Sequence, residues 1–261
     1  MRKTALITGA SSGLGMEFAR IYAREGYDLV VVARSEGKLY KLKSELEVQY
    51  GCHVWVFAQD LSQPDAAYEI FNYTLEQNIT IDALVNNAGF GDFGNFWEVD
   101  PGRQTELLQV NIVALVQLTR LILPGMVERG SGRVLNLSSV AAFSAGPRMC
   151  LYYASKEFVR CFSEAVAEEV RGTGVTVTAL CPGPTATGFE QAAQMKNSHM
   201  FSMFKPASAA AVAEAGFRAA EKGQALCYYG LPTHAVNVAA RLLPRSVCRK
   251  SMMKVNGGKG R

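Results

Sequence analysis

The sequence predicts an α/β domain built on a parallel, doubly wound sheet of seven strands with helices on both faces. Three observations carry that prediction. Short apolar runs alternate with helical patterns from the first residues to about Tyr229. Five of those runs are apolar throughout, as strands are when both sheet faces are covered. A glycine-rich turn joins the first run directly to the first helical pattern. No linker or repeat divides the chain, so the reading is a single domain over residues 1–244, followed by a basic tail at 245–261.

"TALIT" opens the sheet, and residues 14–26 follow with apolar side chains at i, i+3 and i+4. "DLVVVA" leads into 36–50, "HVWVFA" into 64–78, "ALVNNA" into 103–129 and "RVLNLS" into 152–171. "VTVTALC" and "ALCYYG" supply the last two strands. Strands separated by helices pair in parallel through right-handed crossovers, which winds the sheet from both sides.

Composition excludes several classes. The chain is 49% hydrophobic and 19% charged, with no low-complexity tract. No run reaches the ~18–20 apolar residues of a membrane span; "IVALVQLTRLIL" comes nearest, and Gln117, Thr119 and Arg120 interrupt it. The six cysteines show no CxxC spacing and the three histidines stand apart, so neither disulfides nor a metal site is expected. These features place the protein in the cytoplasm. Net charge is +4, but residues 241–261 hold seven basic side chains and no acid, leaving 20 basic against 23 acidic elsewhere, net −3. A body without basic excess is not expected to bind nucleic acid. The tail itself has two readings: a solvated end, or a peripheral contact with an anionic membrane through Leu242, Leu243, Val247, Met252 and Met253.

In "TALITGASSGLGMEFAR" a strand meets Gly9, Gly13 and Gly15 and then a helix. Glycine permits positive φ and lets backbone approach a pyrophosphate, while the helix start aims free N–H groups at that anion. The second strand ends in Ala33 and Arg34, with no carboxylate to bind a ribose 2′-hydroxyl. The Arg34 guanidinium suits a 2′-phosphate instead, so NADP(H) is favoured over NAD(H). Further on, "LYYASK" places Tyr152 four residues and Tyr153 three residues before Lys156. On a helix either tyrosine can face that lysine.

"TGASSGLG", "NNAG" at 86–89, "NLSS" at 136–139 and Tyr-x-x-x-Lys at 152–156 together resemble the signatures of the short-chain dehydrogenases/reductases, in the family's order. The resemblance runs to about residue 230, and its wording is nearest to the branch of lipid, hydroxysteroid and 3-oxoacyl reductases. It implies a Rossmann-type fold and interconversion of a secondary alcohol and a ketone by hydride transfer. Gly9, Ser11, Ser12, Gly13, Leu14 and Gly15 would then form the phosphate turn. Ser12 is a departure, since many NADP-preferring relatives carry a basic residue there. Asp60 and Leu61 would edge the adenine; Asn87, Ala88 and Gly89 would run beside the adenosine ribose. Pro182, Gly183, Thr185 and Thr187 would contact the nicotinamide or diphosphate.

The same resemblance selects Tyr152 as general acid/base, leaving Tyr153 to packing or an oligomer contact. Lys156 would lower the phenol pKa, ordinarily ~10, and bind the nicotinamide ribose. Ser139 would hold the substrate oxygen, and Asn111 a water linking Lys156 to solvent. Phe143 and Phe189, with Ser139 and Tyr152, are the expected substrate contacts. The apolar segment after the sixth strand, rich in Met and Phe, and Phe90, Phe93, Phe96 and Trp97 suit a lipophilic carbonyl or alcohol, either steroid-like or long-chain 3-oxoacyl. An ordinary amphipathic lid would look the same. Alternatives are a nucleotide-sensing module without catalysis, a reductase of a small polar ketone, or an epimerase or dehydratase. Relatives form homodimers or homotetramers through the helices at 103–129 and 152–171.

Overall fold

The seven apolar runs become seven strands of one parallel sheet in the computed structural model, which describes residues 2–188 and 206–257. In chain order these are β1 (Thr4–Thr8), β2 (Asp28–Ala33), β3 (Val54–Ala58), β4 (Ala83–Asn86), β5 (Gly132–Leu137), β6 (Val175–Pro182) and β9 (Leu226–Tyr229). Their lateral order is β3-β2-β1-β4-β5-β6-β9. Two short strands that the sequence did not announce, β7 (Thr185–Ala186) and β8 (Ala207–Ser208), pair separately.

Helices α1 (Gly13–Arg24) and α2 (Glu36–Tyr50), with α7 (Ala209–Glu221), cover one face. There Phe18, Tyr22, Leu39, Leu46 and Phe217 pack on Ile7, Leu29 and Val31. The other face carries α3 (Ala66–Glu76), α5 (Ala114–Glu128) and α6 (Cys150–Glu169), burying Ile70, Leu118, Ile122, Met126 and Val166 on Leu6, Leu84 and Val134. Side chains alternate between the two layers along each strand, which is why these strands read as unbroken apolar runs.

The segment expected as one helix over 103–129 is three pieces. Asp100 accepts a hydrogen bond from Arg103 N (2.8 Å) and caps α4 (Pro101–Leu108). A π turn at Gln109–Val113 separates it from α5. By length and apolarity Pro101–Glu128 could cross a bilayer, yet here its Leu107, Leu118, Ile122 and Met126 lie in the core.

Beyond the sheet the chain forms α8 (Leu231–Leu242) and α9 (Arg245–Val255). The expected basic tail is therefore helical over 245–255, and it is anchored. The side-chain amide of Asn256, fully buried, donates to Pro147 O (2.8 Å), and Arg148 donates to Gly257 O (2.8 Å). Met252, one of the residues considered for a membrane face, instead packs inward against a cluster containing Tyr152 and Tyr153.

The strand order reverses between β1 and β4. At such a reversal the connections leave in opposite directions and open a crevice beyond the strand ends, where open α/β sheets bind ligands.

Candidate active site

The crevice begins at the turn after β1. Gly9 (φ +67°) and Gly13 (φ +54°) adopt the left-handed backbone that glycine allows. A Cβ on Gly9 would lie 2.8 Å from the Asn87 amide nitrogen, and one on Gly13 would lie 2.9 Å from Thr187 Cβ. The turn is tied across the sheet to β4. Thr8 Oγ1 accepts from the backbone N–H groups of Asn87 and Ala88 (3.0 Å each), and the Asn87 amide donates to Thr8 O (2.9 Å). Ser12 is extended and makes no side-chain cap bond, leaving the first N–H groups of α1 facing the crevice.

From that cradle one continuous cleft runs in two directions. Towards β2 and β3 it is lined by Ala33, Arg34, Ser35, Asp60, Leu61 and Ser62. Arg34 is three-quarters exposed and 4.0 Å from Asp60 Oδ2, so its guanidinium is available to an incoming anion. Towards β5 and β6 the cleft passes Ala88 and Gly89 to Ser139, Tyr152 and Lys156, with Pro182, Gly183, Thr185 and Thr187 opposite. Every expected cofactor residue lines this cleft except Gly15. That glycine is a packing residue: a Cβ there would meet Gly9 O at 2.2 Å.

At the catalytic end the strand β5 delivers Ser138 and Ser139, and α6 presents Tyr152 and Lys156 on one face. Ser139 Oγ accepts from Ala141 N (3.1 Å) and hydrogen-bonds the Tyr152 phenol. Burial pushes the Tyr152 phenol up to about 12, with the Ser139 bond opposing the shift. Lys156 is also buried, and burial pushes its ammonium down to about 8. Its Nζ donates to Leu137 O (2.8 Å) and stands 5.8 Å from the centre of the Tyr152 ring. Gly89 makes room for it, since a Cβ there would come within 3.3 Å of Nζ. Ser138 Oγ donates to Lys156 O (2.7 Å), fixing the turn of helix that carries the lysine.

Asn111 sits in the π turn behind this group and is buried. Its amide protons are both engaged, by Phe90 O (2.9 Å) and Ser155 Oγ (3.1 Å), and its Oδ1 accepts from Phe90 N (3.0 Å). The side chain thus braces the Phe90 loop and α6.

One expected substrate contact is corrected. Phe143 does not line the cleft; its ring turns away onto Tyr228 (5.5 Å between centres) and beneath the Arg160 guanidinium (5.5 Å). The wall is built instead by Val140, Ala141 and Met149, with Phe90 and Val110 across from them. Met149 and Val110 went unremarked because only the tertiary path of the loop before α6 and the π turn bring them there. Phe189 and the apolar segment after β7 lie outside the described residues.

A phosphate cradle within a cleft that has a Ser–Tyr–Lys group at one end is the arrangement of a dinucleotide-binding oxidoreductase. Comparison with known proteins narrows the class: the profile described as short chain dehydrogenase matches residues 3–198, and the chain belongs to that family. It is 31% identical over 260 residues to a very-long-chain 3-oxoacyl-CoA reductase of Anas platyrhynchos, covering 97% of this chain and 79% of the relative. Other curated relatives are matched over only 51–63% of their own length. Among solved structures, a 7β-hydroxysteroid dehydrogenase aligns with TM-score 0.86 at 26% identity, covering 96% of each chain. A short-chain dehydrogenase from Sphingobium yanoikuyae in complex with NADPH aligns with TM-score 0.82 at 28% identity, covering 92% of this chain and 94% of that one.

Proposed function

We propose that the protein is an NADP(H)-dependent reductase of a lipophilic ketone, of the 3-oxoacyl or steroid-like kind. The observation that carries this reading is the single cleft joining Arg34, the glycine cradle and the Ser139–Tyr152–Lys156 group. The residues present fit the dinucleotide: Gly9 and Gly13 let the turn close against Asn87 and Thr187, and the start of α1, which Ser12 does not cap with its side chain, lies in the cleft where its N–H groups would meet a diphosphate. Arg34 would hold a 2′-phosphate, and Thr185 and Thr187 would face the nicotinamide end. When bound, the reduced cofactor supplies hydride to the carbonyl carbon.

The chain's own groups supply the rest. Ser139 and Tyr152 donate hydrogen bonds to the carbonyl oxygen, favouring the negative charge that develops on it. Tyr152, held protonated by its burial, gives its proton to that oxygen. Lys156 stabilises the phenolate left behind and binds the ribose hydroxyls. A phenol near 12 is suited to giving a proton at neutral pH; for the reverse reaction each unit by which it must fall costs about 1.4 kcal/mol, supplied by charge around it. Phe90, Val110, Ala141 and Met149 form an apolar wall beside this group, which favours a lipophilic carbonyl. The names of the 3-oxoacyl-CoA reductase and hydroxysteroid dehydrogenase relatives point the same way.

The test is oxidation of NADPH by the purified protein against 3-oxoacyl thioesters, steroid ketones and small polar ketones, with Tyr152→Phe as control. Turnover confined to the first two classes and absent from the variant is expected. Turnover of the small ketones alone would overturn the substrate class, and undiminished turnover by the variant would overturn the mechanism.

A further inference from the structure

From Lys222 onwards the chain contains no acidic residue, while it carries eight lysines and arginines. The structure carries four of those cations, Arg245, Arg249, Lys250 and Lys254, at exposed positions of α9. It also leaves apolar side chains in water between them. Val238 (52% exposed) and Leu242 (78%) lie one turn apart on the outer side of α8. Leu243 (47%) and Val247 (45%) continue across the corner into α9. Cys248, Met252 and Val255 are half-buried towards the body, so α9 is amphipathic in place and its outer face is apolar at the start and basic along its length.

The inner sides of the same two helices pack towards the body of the protein. Tyr228, at the end of β9, contacts His234 of α8 (4.8 Å between rings) and Phe143 (5.5 Å), the last residue of the turn that begins at Ser139. Met252 of α9 packs on the cluster holding Met149 and Tyr152.

We infer that α8 and α9 form a docking face for an anionic lipid surface, the apolar corner Val238–Leu242–Leu243–Val247 entering the interface and Arg245, Arg249, Lys250 and Lys254 pairing with headgroups. Cations around a partly inserted apolar ridge are what such a surface selects. The face is argued from charge and exposure; its value for drawing substrate out of a lipid layer rests on the lipophilic reading above.

The test is sedimentation of the full chain with vesicles of phosphatidylcholine alone and with about one third phosphatidylglycerol. The protein is expected to pellet with the anionic vesicles only, and to be released as salt shortens the screening length. Arg249→Glu with Lys250→Glu, and separately Leu242→Ser with Val247→Ser, are expected to reduce the bound fraction tenfold or more. Thermal unfolding and NADPH binding of each variant verify that the fold is kept. Absence of binding by the parent protein, equal binding to both vesicle types, or binding indifferent to both variants would overturn the inference. So would loss of a dimer in size-exclusion chromatography of the serine variant when the parent protein ignores vesicles, since the face would then join two copies or do nothing with lipid. Sedimentation reads binding whether or not any ketone is reduced, so the two proposals fail separately.

Discussion

Tyr153 Oη lies 3.4 Å from Asn256 Oδ1, bridging the catalytic helix and the C-terminal segment across 103 residues of sequence. The same asparagine donates to Pro147 O (2.8 Å), just before that helix. The two adjacent tyrosines thus divide their tasks by direction: Tyr152 turns into the cleft, and Tyr153 turns to the segment that holds α6 in place. Gly146 lies flat against the Tyr153 ring, where a Cβ would come within 2.2 Å.

Asn256→Ala would leave the part-buried Pro147 carbonyl without its donor. Such a loss costs about 1–3 kcal/mol, and a drop in melting temperature of several degrees is expected. Tyr153→Phe removes only the longer bond and should keep most of the turnover. Calorimetry and steady-state rates on both variants check this, and a Tyr153→Phe protein without activity would contradict the division of tasks.

In the proposed mechanism Tyr152→Phe removes the proton donor and one partner of the substrate oxygen. Positioned acid catalysis contributes about 10²–10⁴-fold, so turnover should fall by that order while NADPH fluorescence titration remains unchanged.

The pH dependence follows from Lys156. Its ammonium is held near 8, below its ordinary 10.5, so it is charged below about 8 and neutral above. If the charged form supports reduction, kcat/KM for the ketone is level below about 8 and falls as pH rises through that value. Oxidation of the alcohol should instead climb with pH, because Tyr152 stays protonated up to about 12. Rate profiles in both directions test this; a reductive profile rising between pH 7 and 9 would contradict it.

Arg34→Ala should separate the two cofactors. A hydrogen bond to a charged group contributes about 1.5–3 kcal/mol, so KM for NADPH should rise roughly 10- to 100-fold while KM for NADH scarcely moves. Equal changes for both would show that Arg34 has no 2′-phosphate to hold.

Gly15→Ala tests the cradle from its hidden side. The added methyl would press on Gly9 O, and overpacking costs about 1–3 kcal/mol. Weaker binding of both cofactors and a lower melting temperature are expected together.

Much of this molecule could be read from local pattern. All seven sheet strands coincide with apolar runs; the five inner ones are covered by helical layers and buried along most of their length, whereas β3 and β9 at the edges are only partly buried. The phosphate turn and the Tyr-x-x-x-Lys spacing were visible because they are short-range constraints on one strand end and one helix face. What escaped depends on where distant segments meet. The π turn at Asn111 looks like ordinary helix until Phe90 and Ser155 claim its amide. Phe143 reads as a pocket wall until Tyr228, 85 residues later, offers its ring a different neighbour. The helicity of 245–255 and its anchor at Asn256 are equally hidden, since the partners of that segment lie on α6 and in the loop just before it.

The reversal of strand order between β1 and β4 also bears on how the protein is assembled and protected. The turn proposed to hold the diphosphate follows β1, yet its braces, Asn87 and Ala88, arrive almost 80 residues later. A nucleotide can therefore be held only after the central pair of strands has closed. Because the ligand binds nothing less than that, its binding energy is credited to the whole sheet rather than to one half. Saturating nucleotide should accordingly slow proteolytic nicking in the outer strands, far from any atom it touches.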